Sequence, residues 1–242
     1  MKCFLSLLIL PLLGGCAELA ASLDTMSLSS EGRNDGPTGP QERDLYLDLI
    51  AGLQEKDLHR ASLAHLDEYD KRFRPTARSL RLRAEAYTVV GPDSLAVATW
   101  KQLIGTADEA AAYNGLGRIY AGAGQWDDAS DAFRSAVAKE PTNARYVNNY
   151  GFALLRAGNR EQAEFRLLQA EELDRDNAEI RSNVILVLLA NGKSTEADAR
   201  LARIADAGAR ANLRRDAVRV AAALPPARRS VPADSPESEN HL

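Results

Sequence analysis

Three glycines, Gly124, Gly158 and Gly192, stand 34 residues apart, and three alanines, Ala129, Ala163 and Ala197, keep the same interval. A period of this length marks one supersecondary unit repeated along the chain. Each copy is too small to bury its own hydrophobic face and must stack on its neighbours. Each glycine sits between two stretches of helical apolar spacing, where a left-handed residue conveniently ends the first helix. The unit therefore reads as helix, turn, helix. Ala, Leu and Arg are abundant and aromatics make up only 6% of residues, a mixture that favours helices. With 45% hydrophobic and 26% charged residues, the chain has the composition of a globular protein.

The fullest copy runs from Ala110 to Asn143. It places Tyr113, Leu116-Gly117, Tyr120, Ala129, Phe133, Ala136 and Pro141 at the spacing of a tetratricopeptide repeat, which it resembles. Gly117 and Ala129 remove bulk where the two helices meet, and Tyr120 and Phe133 fill the remaining space. Asp127 and Asp128 fall in the first turn of the second helix, near its positive end, and read as helix-terminus charge rather than a catalytic carboxylate pair. Pro141 stops the unit. Extending this register divides the array into units 43–76, 77–109, 110–143, 144–177 and 178–211, the first of them a degenerate cap. A capping helix over 209–224 follows, with Leu213, Val218, Ala221 and Ala222 at helical spacing. The expected fold is all-α: a tetratricopeptide-repeat solenoid of about five helix-turn-helix units plus that C-terminal helix. Residues 225–242 hold four prolines and little apolar content, and are expected to be disordered.

The first 42 residues follow another logic. Lys2 precedes an apolar run from Cys3 to Leu13, too short to span a bilayer but suited to a signal h-region. Leu-Gly-Gly-Cys at residues 13–16 then resembles the bacterial lipobox, and Cys3 and Cys16 are the only cysteines in 242 residues. That resemblance implies a signal peptide over 1–15, lipidation of Cys16 and a membrane anchor of several acyl chains. Ala17 in place of Asp implies outer-membrane attachment facing the periplasm. From residue 16 to 42 the chain is expected to be a flexible linker, its Ser, Gly, Asn, Asp and Pro lacking any apolar period. Its reach would be about 28 Å.

Catalytic, metal and cofactor chemistry find no carrier. No cysteine lies beyond residue 16, His59 and His65 are six apart, and the Gly115–Gly117 and Gly122–Gly124 pairs belong to the repeat rather than to a phosphate loop. A net charge of -4, with Lys and Arg spread along the chain, argues against nucleic acid. Neither a small-molecule substrate nor an enzyme is read from this sequence. What remains is the face formed by the first helices of successive units, a groove for a protein partner. Its expected lining includes Asn114, Arg118, Asn148, Phe152, Leu155, Arg156, Ser182, Leu186 and Leu189. Two readings of Phe152, Leu155, Leu186 and Leu189 stay open: partner anchors, or contacts between neighbouring units.

The stretches Gly115–Phe133 and Asn148–Glu164 resemble the repeats of the TadD family, lipoproteins of the tight-adherence (Flp) pilus. The type IVa pilus pilotin is similar in design, down to an Asn-Tyr-Gly element like Asn149 to Gly151. The resemblance implies a pilotin that localises or assembles a secretin subunit of a pilus or secretion machine. A scaffold that recruits peptidoglycan or other envelope enzymes is the alternative.

Overall fold

The computed structural model describes residues 39–228. The chain divides into two units, Met1–Glu42 and Arg43–Leu242, and the second holds the repeat array. Among the described residues there are eleven helices and no strand: α1 (Gly39–Glu55), α2 (His59–Arg72), α3 (Ala77–Val90), α4 (Asp93–Lys101), α5 (Glu109–Gly122), α6 (Trp126–Lys139), α7 (Ala144–Arg156), α8 (Arg160–Leu173), α9 (Ala178–Ala190), α10 (Ser194–Leu201) and α11 (Ala207–Ala222). The signal peptide, Cys16 and most of the linker lie outside the described residues. Residues 39–42, expected in the linker, are already helical.

The helices form because each boundary is chemically marked. Asn143 and Asn177, 34 apart, cap α7 and α9 by accepting backbone N–H bonds from Tyr146 and from Glu179 and Ile180. Thr76 and Ser79 make a reciprocal capping box on α3. At the other ends Gly124, Gly158 and Gly192 take φ of +76°, +89° and +76°, which closes α5, α7 and α9 without the steric cost a side chain would meet.

Within each hairpin, small residues let the helices approach. Ala129, Ala163 and Ala197 are completely buried. A Cβ on Gly117 would lie 2.7 Å from the Phe133 ring, and one on Gly151 would lie 2.8 Å from Leu167 Cγ. Both positions are therefore closed to any larger residue unless a helix moves. Consecutive helices contact in the order α2 to α10, and the first helices of successive units also touch: α3 with α5, α5 with α7, α7 with α9. Helix α11 lies against α9, where Leu213, Ala217 and Val220 join the main hydrophobic cluster.

The array does not end at α11. Pro225–Arg228 runs back over the α7–α8 turn, where the Arg228 N–H donates to the Gly158 carbonyl (2.9 Å). The Arg228 guanidinium donates to both carboxylate oxygens of Asp127 (2.7 and 2.9 Å), and Arg160 donates to the Pro225 carbonyl (2.9 Å). These four residues, expected to be disordered, are held by polar contacts that need no apolar side chain. Residues 229–242 lie outside the described residues.

Candidate protein-binding groove

Helices α5 and α7 set the site. On α5, Asn114 and Arg118 are one turn apart. On α7, Arg145, Asn149, Phe152 and Ala153 fall on the corresponding face. With Ala121, Trp126 and Phe133 from the first hairpin and Glu179 from α9, they surround a cavity of about 450 Å³. One wall is aromatic: Trp126 meets Phe152 edge-on at 6.1 Å, and the Arg156 guanidinium lies 4.3 Å from the Trp126 ring centre. The lining is also charged, by Arg118, Arg145 and the exposed carboxylate of Glu179. Arg118 and Arg145 are exposed, and neither has an ion pair among the described residues. Both also line an adjoining cavity of about 300 Å³ that includes Glu85, His59, Trp100 and Tyr146.

A ladder of asparagines joins the inner helices. Asn149 donates to Asn114 (2.8 Å), Asn183 to Asn148 (2.9 Å), and Asn148 to Glu179 (3.1 Å). These amides satisfy one another at the groove floor, so the inner helices are fixed in register by groups that would be costly to leave unpaired. In the adjoining cavity, burial pushes the Glu85 carboxyl up, against the pull of Arg81, Arg145 and Arg118.

The structure separates the residues expected to line the groove. Arg118 and Phe152 face the cavity, and Arg156 supports its aromatic wall. Asn114 borders the cavity but is largely buried, and Asn148 is 2% exposed and consumed by the ladder. Leu155 is completely buried and Leu186 nearly so, and both belong to the hydrophobic core. Placing Leu155 on the groove is thereby corrected. The roughly 100° step from Leu154 does turn its side chain, but α7 touches α5, α6, α8 and α9, so the step leads from one packed flank to another. Leu189 is half-buried against the same core, and Ser182 is half-buried with its hydroxyl bonded to its own helix (2.7 Å to the Ala178 carbonyl). For Leu155 and Leu186 the inter-unit reading is the correct one.

Sequence reasoning passed over Trp126, Arg145, Asn149 and Glu179. A signal existed for three of them, since Arg145 and Glu179 occupy one repeat position 34 apart, as do Asn149 and Asn183. Trp126 carried none beyond following the turn glycine. His65 is hydrogen-bonded to the Tyr46 hydroxyl (3.2 Å). Among the described residues no cluster of His, Cys, Asp and Glu could hold a metal, and no helix is long and apolar enough to cross a membrane.

This architecture has counterparts. Residues 120–182 match the tetratricopeptide repeat family model. The fold is a tetratricopeptide-repeat solenoid. The chain is 29% identical over 214 residues to the TPR repeat-containing protein PA4299 of Pseudomonas aeruginosa, covering 82% of this chain and 80% of that protein. Among solved structures it superposes on Pseudomonas aeruginosa pilF with a TM-score of 0.61 at 15% identity, over 74% of this chain and 88% of that one. It likewise superposes on a thermophilic TPR protein of Thermus thermophilus with a TM-score of 0.58 at 24% identity, over 75% of this chain and 100% of that one. As a tetratricopeptide array the chain is a protein–protein interaction scaffold, and its inner face is the surface to test.

Proposed function

We propose that this tetratricopeptide protein is a lipid-anchored, non-enzymatic adaptor of the outer membrane. It holds a segment of a secretin subunit in the α5–α7 groove and helps place that subunit during assembly of a Tad/Flp pilus. The observation that carries the reading is the cavity lined by Trp126, Phe152, Arg118, Arg145 and Glu179, which combines aromatic rings with exposed charged groups, the make-up of a site that anchors and orients a partner. The Leu-Gly-Gly-Cys stretch supports the anchor, and the resemblance of Gly115–Phe133 and Asn148–Glu164 to TadD repeats supports the pilus assignment.

The test pairs two variants in the native host. Cys16→Ala is expected to leave the outer-membrane fraction, and Phe152→Ser to stay there while losing co-purification with the secretin. If Cys16→Ala still fractionates with the outer membrane, the anchor is wrong. If the wild-type protein co-purifies with a murein hydrolase and no secretin, the adaptor serves envelope enzymes instead.

A further inference from the structure

Helix α11 ends the array and packs on one side only. Leu213, Ala217 and Val220 turn toward α9 and the main hydrophobic cluster. At about 100° per residue, the opposite arc carries Ala211, Arg215, Val218, Arg219 and Ala222, all exposed. This face is one-sided in charge. Between Ala202 and Leu224 stand five arginines and two aspartates, a net charge of +3 in a chain that totals -4. Asp206 is spent capping the helix, where it accepts from the Ala209 N–H. Asp216 pairs with Arg219 (3.0 Å), and Asp198 of α10 with Arg214 (2.9 Å), both in full contact with solvent and weakly held. Arg210 donates to the Ile204 and Ala205 carbonyls and closes the α10–α11 loop. Arg203 and Arg215 stay exposed with no ion pair among the described residues, Arg215 donating only to Asn212 of its own helix.

A fitting partner must be negative, broad and indifferent to shape. Neither cavity described above reaches this arc, so it has no pocket for an anchor side chain. Its apolar content is Val218 among alanines, too little for a protein interface. A second copy set on the same face by a two-fold axis would bring arginine toward arginine. The chain's own acidic end is led elsewhere, since Arg228 is held on Asp127 and Gly158 before Asp234, Glu237 and Glu239 are reached. A layer of anionic headgroups meets each requirement. It attracts every arginine near it, and it lets Val218 and the arginine stems settle at its boundary. Resting on the lipid-anchor reading above, which keeps the array within a linker's reach of a bilayer, we infer that the outer face of α11 lies on anionic phospholipid. It is a second membrane contact, separate from the groove.

Co-sedimentation of the full chain with vesicles tests this, in the Cys16→Ala background so that no acyl chain contributes. The apolar run Cys3–Leu13 is common to all samples. Binding to phosphatidylethanolamine–phosphatidylglycerol vesicles should exceed binding to phosphatidylethanolamine–phosphatidylcholine vesicles about tenfold or more, and added salt should weaken it. Arg215→Glu with Arg219→Glu should remove that excess while helical content by circular dichroism is unchanged. Lys101→Glu with Arg134→Glu, the same change of net charge at exposed positions on α4 and α6, should leave it. Arg215→Lys with Arg219→Lys should bind as the wild type does, because a headgroup layer reads charge rather than the guanidinium fork. Equal binding to both vesicles, or equal loss in the Lys101 and Arg134 pair, overturns the inference. Loss of binding in the lysine pair does so too, since it marks a shaped partner. So does a wild-type dimer that the Arg215 and Arg219 glutamates dissociate, which assigns the face to a second copy. All of these are read on protein without its anchor, so they stand apart from whether Cys16→Ala leaves the outer-membrane fraction in the host.

Discussion

Gly151→Ala offers a test in which two effects of known sign compete. Alanine is favoured over glycine in a helix interior by about 1 kcal/mol, so propensity alone makes the substitution stabilising. The new methyl, however, would sit 2.8 Å from Leu167 Cγ, 3.0 Å from its Cδ2 and 3.1 Å from its backbone nitrogen. Leu167 is completely buried, and a backbone nitrogen cannot swing aside, so relief requires α7 and α8 to separate. Overpacking of this kind costs about 1–3 kcal/mol, and a clash with backbone belongs at or above the upper end. The net expectation is a loss of about 2 kcal/mol, or about 4–8 °C in melting temperature for an array of this size. Gly122→Ala is the matched control. It lies in the last turn of α5 with nothing within 4 Å of a new Cβ, so only the propensity gain remains, reduced by its terminal position to about 0.5 kcal/mol. Thermal unfolding followed by circular dichroism should therefore move in opposite directions for one and the same chemical change. A Gly151→Ala protein that melts at or above the wild type would refute the close-approach argument for the repeat glycines.

Leu155→Ala should cost about 3 kcal/mol in denaturant unfolding, the penalty of a cavity in a closed core, and partner binding should fall only as far as the fold does. Replacing Glu85 with Gln should raise the melting temperature near neutral pH. Burial holds the folded-state carboxyl above its ordinary value, so the ionised group penalises the native state at higher pH, and the advantage should shrink to nothing as pH falls below the ordinary carboxylate range. The Arg228 hydrogen bonds hold the Asp127 carboxyl below its ordinary value, so the contact contributes above that value and is lost as pH falls through the lowered one. Asp127→Asn should accordingly speed hydrogen exchange at the Arg228 amide while leaving the melting temperature almost unmoved, since both partners are largely exposed.

What was legible in the sequence is what close approach enforces. Gly117, Gly151, Ala129 and Ala163 recur at 34 because no other residue size lets two helices meet there, and Gly124, Gly158 and Gly192 recur because the turn needs positive φ. Such constraints act on one position at a time and leave a mark in composition. The contact between Arg228 and Asp127 joins residues 101 apart through two exposed side chains and one turn carbonyl. No periodicity reports a contact of that kind, and the prolines at 225 and 226 point the other way.

The groove falls between these cases. Repetition shows Asn114 and Asn148 at one repeat position and Asn149 and Asn183 at the next, yet it cannot say that they bond to each other, because each bond links one place in a unit to the following place in the next, a step of 35 rather than 34. That offset comes from the rotation between stacked units, which no single unit encodes. Leu155 misled for the same reason. Hydropathy around one helix distinguishes buried from exposed only when the helix has a solvent side, and α7 is flanked by four others. Arg118 is exposed and Phe152 half-buried because both lie on the arc of their helices that lines the cavity rather than packing against a neighbouring helix. A partner would therefore read the difference between neighbouring repeats, Arg118 on α5 against Phe152 at the equivalent place on α7, and that difference, not the shared repeat pattern, is where specificity has to reside.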